Sequence, residues 1–561
     1  MSRGELRSSK ILSLIENRTA MFEQRVALGI KSQYGWKEFT YKGLGMMSRK
    51  IARYLIEDIG LKKGAGVAIL SESKPEYGAC VFASVLAGGI TIPLDIKLSK
   101  YELASILKDC LPEVMLVSQY YLNTALELQK EIPEIKHIIV NDENAHNDLI
   151  PSIYTLPDKY DAKWRQRSSK STALIIYTSG TTGSPKGVEI SFANMNAQLE
   201  DLTDAINVIL PDNRKTTMLS ILPMNHLFEM TVGFSTFLNF GHTVYYTTSL
   251  KPKDILSIIK EKQVQFMLVV PAFLKLLKAG IEKEIKSSPK SVQTGFKILY
   301  NIAKFIPFYS VKKLMFKKIH DNMGGHFFGC ISGGAPLDIE VGEFFERIGI
   351  KVYQGYGLSE TSPVVSVNTD KRNNLASVGR PLKHFEAMID KSNGELLLRG
   401  PSVMKGYHNQ PEMTAEVIDA NGWLHTGDIA KIDKDGHIFI TGRIKNMIVL
   451  QGGKKVFPEE VEAVLEKSEY ISEVCVLGTK KMFGSKDGSE EVTAVIVPKD
   501  YLYHEKSEED IDKIIRYEVK VLSERLAQYK RPTTVIISKQ ELPKTTTRKV
   551  KRNDVRELIK V

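Results

Sequence analysis

The run Ala173-Leu-Ile-Ile176, followed by Tyr177-Thr-Ser-Gly-Thr-Thr-Gly-Ser-Pro-Lys-Gly187, is a short aliphatic segment opening into a turn of hydroxyls, glycines and one lysine. Such a loop suits a polyphosphate. Gly180 and Gly183 let backbone N–H groups turn toward phosphate oxygens, Thr178, Ser179, Thr181 and Thr182 add donors, and Lys186 adds a positive charge. It is not a Walker A loop, because no GxxxxGK followed by Ser or Thr occurs in the chain. Nor is Gly64-Ala-Gly66 a dinucleotide fingerprint, since the apolar strand follows the glycines instead of preceding them.

Around this loop, strand-like and helical patterns alternate. Gly66-Val-Ala-Ile-Leu70, then Tyr77 to Ala87, then Ile90-Thr-Ile-Pro93 set a rhythm that continues through Val264 to Val270, Phe327 to Ser332 and Lys351 to Gln354. The expectation is one large α/β body with a mostly parallel sheet. After the turn signal Asp433-Lys-Asp-Gly436 and the strand-like His437 to Ile440, the character changes. Pro458 to Glu466 and Glu508 to Ala527 predict helices, Val474 to Leu477 and Val492 to Val497 predict strands, and together they suggest a compact α+β domain. The expected organisation is an N-terminal multi-subdomain α/β body over 1–442 and a smaller, mobile α+β C-terminal domain over 443–561.

Composition narrows the function classes. With 561 residues, 43% hydrophobic and 25% charged, the chain is too apolar for a disordered scaffold. The 77 Lys+Arg against 66 Asp+Glu give +11 and favour anionic partners, but nucleotides, CoA, lipid headgroups and nucleic acids all qualify. No nucleic-acid-reading module accompanies the charge, so no nucleic acid partner is expected. Cys80, Cys110, Cys330 and Cys475 fit neither a zinc site nor a disulfide framework. The first residues lack a secretory pattern and no apolar run could span a bilayer, so a cytoplasmic protein is expected. Between Ile285 and His320 lie eight lysines and no Asp or Glu, interleaved with Phe296, Phe305, Phe308, Tyr309 and Phe316. Helices packed on the body with a solvated lysine face are the plainer reading, and peripheral membrane contact is the sharper one.

Further motifs follow the phosphate loop: Ser332-Gly-Gly-Ala-Pro336, Tyr356-Gly-Leu-Ser-Glu-Thr361, Ser377-Val-Gly-Arg-Pro381, Gly422-Trp-Leu-His-Thr-Gly-Asp428, Gly442-Arg-Ile-Lys-Asn-Met-Ile448 and Leu542-Pro-Lys-Thr-Thr-Thr-Arg-Lys549. In order and approximate spacing this set resembles the acyl-adenylate-forming superfamily of acyl-CoA synthetases, luciferases and peptide-synthetase adenylation domains.

The resemblance implies roles residue by residue. Thr178, Ser179, Thr181, Thr182 and Lys186 would hold the β- and γ-phosphates of ATP, Thr361 would contact the α-phosphate, and Glu360, with Thr178, would bind Mg²⁺. Gly333, Gly334, Ala335, Tyr356 and Gly357 correspond to the adenine wall, Asp428 to the ribose-hydroxyl ligand and Arg443 to a nearby ribose or phosphate contact. His226 matches a position near the acyl carboxylate, and Lys549 the catalytic lysine, with Arg548 where glycine is usual. Lys445 aligns with the hinge, and Gly452 and Gly453 with the loop lining the pantetheine channel. The implied activity is ligation of a medium- or long-chain fatty acid to CoA through acyl-AMP, with the apolar Met230 to Phe240 run as a tunnel lining. The alternatives are transfer to a carrier-protein phosphopantetheine, or a binding module with impaired catalysis.

Overall fold

The computed structural model describes residues 9–32, 35–143, 149–178, 185–210, 215–370, 373–450, 454–480, 490–544 and 550–559. The chain forms two compact units: Met1–Glu386 with Leu398–Leu424, and Ala387–Leu397 with His425–Val561.

The first unit contains two large sheets. In the seven-stranded one, Thr172–Thr178, Ile90–Pro93, Gly66–Leu70, Val114–Val117 and His137–Val140 lie side by side and parallel, as their buried, continuous apolar runs predict. Lys186–Ser191 and then Gly406–Tyr407 extend one edge antiparallel. The nine-stranded sheet has a parallel centre in the order Thr243–Tyr246, Thr217–Ser220, Phe266–Val269, Gly329–Ser332, Lys351–Tyr356.

Helix Pro75–Leu86 explains how the sheets associate. Its sequence is apolar nearly all round, and every one of its residues is buried. A Cβ at Gly78 would lie 2.7 Å from both Leu28 and Phe234, so the glycine lets the helix approach the nine-stranded side closely. One turn on, the Phe82 ring packs 4.9 Å from that of Phe234. The loop after Gly66–Leu70 is tied to the loop after Thr217–Ser220 by a hydrogen bond from Met224 N to Ser73 Oγ, 2.8 Å. That bond joins the carboxyl ends of parallel strands from both sheets.

The second unit carries a mixed three-stranded sheet, with Ile471–Lys480 antiparallel to Glu490–Pro498 and Thr534–Ile537 parallel to it. Alternation divides the faces. Val474, Val476, Ala494 and Ile496 pack with helices Pro458–Leu465 and Glu508–Ser523, while Cys475, Leu477, Val495 and Val497 pack with Leu542 and Val555. The expected strand over Val474 to Leu477 is thus the centre of a longer one, and the expected helix from Glu508 stops at Ser523, where a turn from Leu526 N to Ser523 O takes over. The architecture is a large α/β body with a smaller α+β unit. Among the described residues no helix is long and apolar enough to cross a membrane.

Phe82→Ala removes a ring that is 1% exposed from between the sheets. A loss of about 3–5 kcal/mol is expected, read as a lower urea midpoint for the first unit. A midpoint equal to wild type would show that the helix does not clamp the two sheets together.

Candidate active site

The phosphate-loop motif is the turn of an antiparallel hairpin. Thr178 pairs with Lys186 and Tyr177 with Gly187, so Thr178 and Lys186 stand opposite each other at its mouth. Ser179, Gly180, Thr181, Thr182 and Gly183 lie outside the described residues. Lys186 Nζ sits 5.2 Å over the ring of Tyr407, and the Tyr407 hydroxyl donates to Glu360 Oε1 at 2.8 Å. One tyrosine therefore links the phosphate-loop lysine to the expected metal-binding carboxylate. Burial, with Glu360 next, pushes the Tyr407 phenol up, which keeps it a donor. Sequence reasoning missed Tyr407. It lies in the short edge strand Gly406–Tyr407, which pairs with Val188 and Glu189.

Glu360 occupies the 3-10 turn Ser359–Thr361 just beyond the parallel strand Lys351–Tyr356. A Cβ at Gly357 would fall 1.7 Å from the Pro363 carbonyl oxygen, so this tight return requires glycine. Thr361 is fully buried, and its hydroxyl both accepts from Leu358 N and donates to Leu358 O, each at 2.9 Å. An α-phosphate contact from this hydroxyl requires it to leave that turn. A half-buried carboxylate with one oxygen held by Tyr407 fits Mg²⁺, which takes one or two carboxylates and completes its shell with phosphates and water.

Gly333, Gly334 and Ala335 follow the adjacent strand Gly329–Ser332. Gly334 has φ +80°, and a Cβ at Gly333 would lie 2.9 Å from the Phe228 ring. The fold thus brings the expected adenine wall against the segment carrying His226. All these motifs sit at carboxyl ends of parallel strands, where open α/β sheets bind ligands. Burial holds the His226 imidazole below its ordinary value, with Asp95 opposing, so the neutral form dominates at pH 7.

In the second unit, Asp428 and Arg443 face each other across antiparallel strands, with Arg443 Nε 2.7 Å from Asp428 Oδ1. Asp428 is buried and Arg443 half exposed, so the guanidinium orients a carboxylate that can accept two sugar hydroxyls. Lys445 is exposed in the short turn Ile444–Asn446 that follows. Gly452, Gly453, Arg548 and Lys549 lie outside the described residues.

Residues 15–408 match the sequence profile of the AMP-binding enzymes, and residues 460–549 that of the AMP-binding enzyme C-terminal domain. The chain belongs to the AMP-binding enzyme family. Among curated relatives it is 29% identical to a long-chain fatty-acid–CoA ligase of Escherichia coli O157:H7, over 99% of this chain and 96% of that one. It is 27% identical to a long-chain fatty-acid–CoA ligase of Xenopus laevis, over 84% of this chain and 68% of that one. Its fold is shared with ATP-bound MatB from Rhodopseudomonas palustris, TM-score 0.78, 23% identity and 99% of each chain covered. A fatty acyl-CoA synthetase of Mycobacterium tuberculosis gives TM-score 0.67, 23% identity and 98% coverage of both chains.

This AMP-binding enzyme also holds an acid that sequence reading passed over. Glu229 is the one charged residue in Leu227 to Phe240, and it is completely buried. The Ser220 hydroxyl donates to Glu229 Oε2 and accepts from Leu222 N at 3.3 Å, closing the base of the loop that carries His226. Oε1 has no hydrogen-bond partner among the described residues. Burial pushes the carboxyl up to about 8.

The native state keeps a proton that the unfolded chain releases near 4.5, so the contribution to stability is full below that pH and is lost as pH rises to about 8. Glu229→Gln keeps the acceptor and removes the titration. Its melting temperature relative to wild type should rise by about 2–5 °C between pH 5 and pH 8 in scanning fluorimetry. A pH-independent difference would mean the carboxyl is not protonated in the native protein.

Proposed function

We propose that this AMP-binding enzyme is an ATP-dependent ligase that joins a medium- or long-chain fatty acid to CoA. The reading is carried by the Lys186–Tyr407–Glu360 cluster, a lysine and a carboxylate bridged at the mouth of a phosphate-loop hairpin, in a chain similar along its length to long-chain fatty-acid–CoA ligases.

Carboxylate and ATP are both anions, so the site must offset their repulsion as the α-phosphate becomes pentacoordinate. Thr178, Ser179, Thr181, Thr182 and Lys186 hold the β- and γ-phosphates, and Gly180 and Gly183 allow backbone approach. Mg²⁺, when bound, neutralises phosphate charge, and Glu360 and Thr178 offer it hard oxygen donors. Gly333, Gly334, Ala335, Tyr356 and Gly357 receive the adenine, Asp428 the ribose hydroxyls with Arg443 orienting it, and Thr361, once its hydroxyl leaves the turn on Leu358, the α-phosphate. His226, neutral, donates toward the acyl carboxylate. A carboxylate oxygen attacks the α-phosphorus and the bond to pyrophosphate breaks. The CoA thiolate then attacks the acyl carbon, and AMP leaves with its electron pair. Lys549 serves the first step. Residues 443–561 turn about Lys445 for the second, bringing Gly452 and Gly453 to the pantetheine. The Met230 to Phe240 run lines the acyl tunnel, and the location is cytoplasmic.

Carboxylate-dependent exchange of labelled pyrophosphate into ATP, run from C4 to C16 acids beside CoA-dependent AMP release, tests this reading. Specificity should climb about fourfold per CH₂ until the tunnel is filled. A flat profile removes the tunnel, and exchange without CoA turnover assigns the acyl group to a carrier protein. Lys549→Ala should lower acyl-AMP formation by about 10²–10³-fold while thioester formation from supplied acyl-AMP stays near wild type. Equal loss in both half-reactions would take the adenylation role away from Lys549.

A further inference from the structure

Helix Lys290–Ala303 carries two apolar stripes. Phe296, Leu299, Tyr300 and Ala303, spaced i, i+3, i+4, i+7, pack into the core, with Phe296 5.5 Å from Phe316 and Tyr300 5.9 Å from Phe344. At about 100° per residue, Ile298 and Ile302 fall on the opposite side. They are 55% and 48% exposed. The exposed apolar surface continues into the turn and the helix Tyr309–Met315 that follow, with Phe305 82%, Phe308 66% and Leu314 72% exposed and Val311 beside them.

An ordinary amphipathic surface helix shows charge opposite its core stripe. Here the charge is on a flank. Lys290, Lys297 and Lys304 are exposed and spaced seven apart, which is about two turns, so they form one line between the stripes. Lys286, Lys317 and Lys318 are exposed as well, and no acid occurs from Ile285 to His320. Asp321, which closes the stretch, is paired with Lys317 at 2.5 Å. The plainer expectation, a solvated lysine face, accounts for the lysines but not for two exposed phenyl rings and four aliphatic side chains between them.

We propose that the 298–314 surface docks this protein on an anionic lipid bilayer, with Ile298, Ile302, Phe305, Phe308 and Leu314 entering the interface and the lysines meeting the headgroups. Exposed rings and lysines on one segment require a partner apolar beneath an anionic surface, which is the layering of such a membrane. Lysine stems reach headgroups while their own methylenes stay apolar. The surface shares no residue with the candidate active site and stands whether or not the ligase reading holds, because docking needs neither ATP nor acyl acceptor.

Sedimentation of the full chain with phosphatidylcholine vesicles, with and without a third of phosphatidylglycerol, is the test. Wild type should bind the anionic vesicles about tenfold more tightly or better. Phe305→Ser with Phe308→Ser and Leu314→Ser should lose that binding, and Lys297→Glu with Lys304→Glu should lose the preference for anionic lipid. Both variants should keep the wild-type melting temperature, because every changed side chain is exposed. Equal binding to neutral vesicles, or undiminished binding by the triple variant, overturns the proposal. So does a wild-type dimer that the triple variant dissociates, which would assign the surface to a second copy of the chain.

Discussion

The hydrogen bond from Met224 N to Ser73 Oγ joins the carboxyl edges of two mostly parallel sheets, and the grouping of the motifs within the first unit depends on that join. Parallel strands leave their ligand-binding loops at one edge. Two sheets supply a shared site only if those edges meet. The meeting is enforced by Pro75–Leu86, a helix with no solvent-facing side that contacts the nine-stranded side through Gly78 and Phe82. Fixing the loop at Met224 fixes His226 and Phe228 in the same turn of chain, and Phe228 in turn lies against Gly333.

A second constraint is electrostatic. Beneath the hairpin, Glu189 accepts from Thr172 at 2.6 Å and from Lys405 at 2.9 Å and pairs with His408 Nδ1 at 2.7 Å. The His408 contact leads in holding the Glu189 carboxyl down to about 2, and the same contact raises the imidazole. This network pins Gly406–Tyr407 to the hairpin strand Lys186–Ser191, which is why Tyr407 meets both Lys186 and Glu360. Around Glu229 the balance runs the other way: desolvation outweighs the hydroxyls of Ser220 and Tyr246, and the acid is kept neutral.

The parallel strands were legible because both their faces are buried, so Gly66–Leu70 and Ile90–Pro93 read as short aliphatic and β-branched runs with glycine or proline at one end. Strand ends in the second unit were less legible, because pairing in a mixed sheet extends Ile471–Lys480 past its apolar centre. Net charge was silent about the lysine stretch, since composition counts lysines without saying what lies between them. Only the helix phase of Phe296 against Ile298 separates a core stripe from an exposed one.

By itself the sequence determined the family, the α/β body and the phosphate-loop, SGGAP and YGLSET motifs, because backbone approach to phosphates and bases is set by glycines and hydroxyls within a few consecutive residues. The tertiary structure alone decided Tyr407, 47 positions from Glu360, and the Ser220–Glu229 closure beneath His226. It also decided that Arg443 serves Asp428, and that Thr361 holds its own turn. These are contacts between side chains brought together by strand pairing and sheet packing, and no local pattern encodes which tyrosine, acid or arginine arrives there.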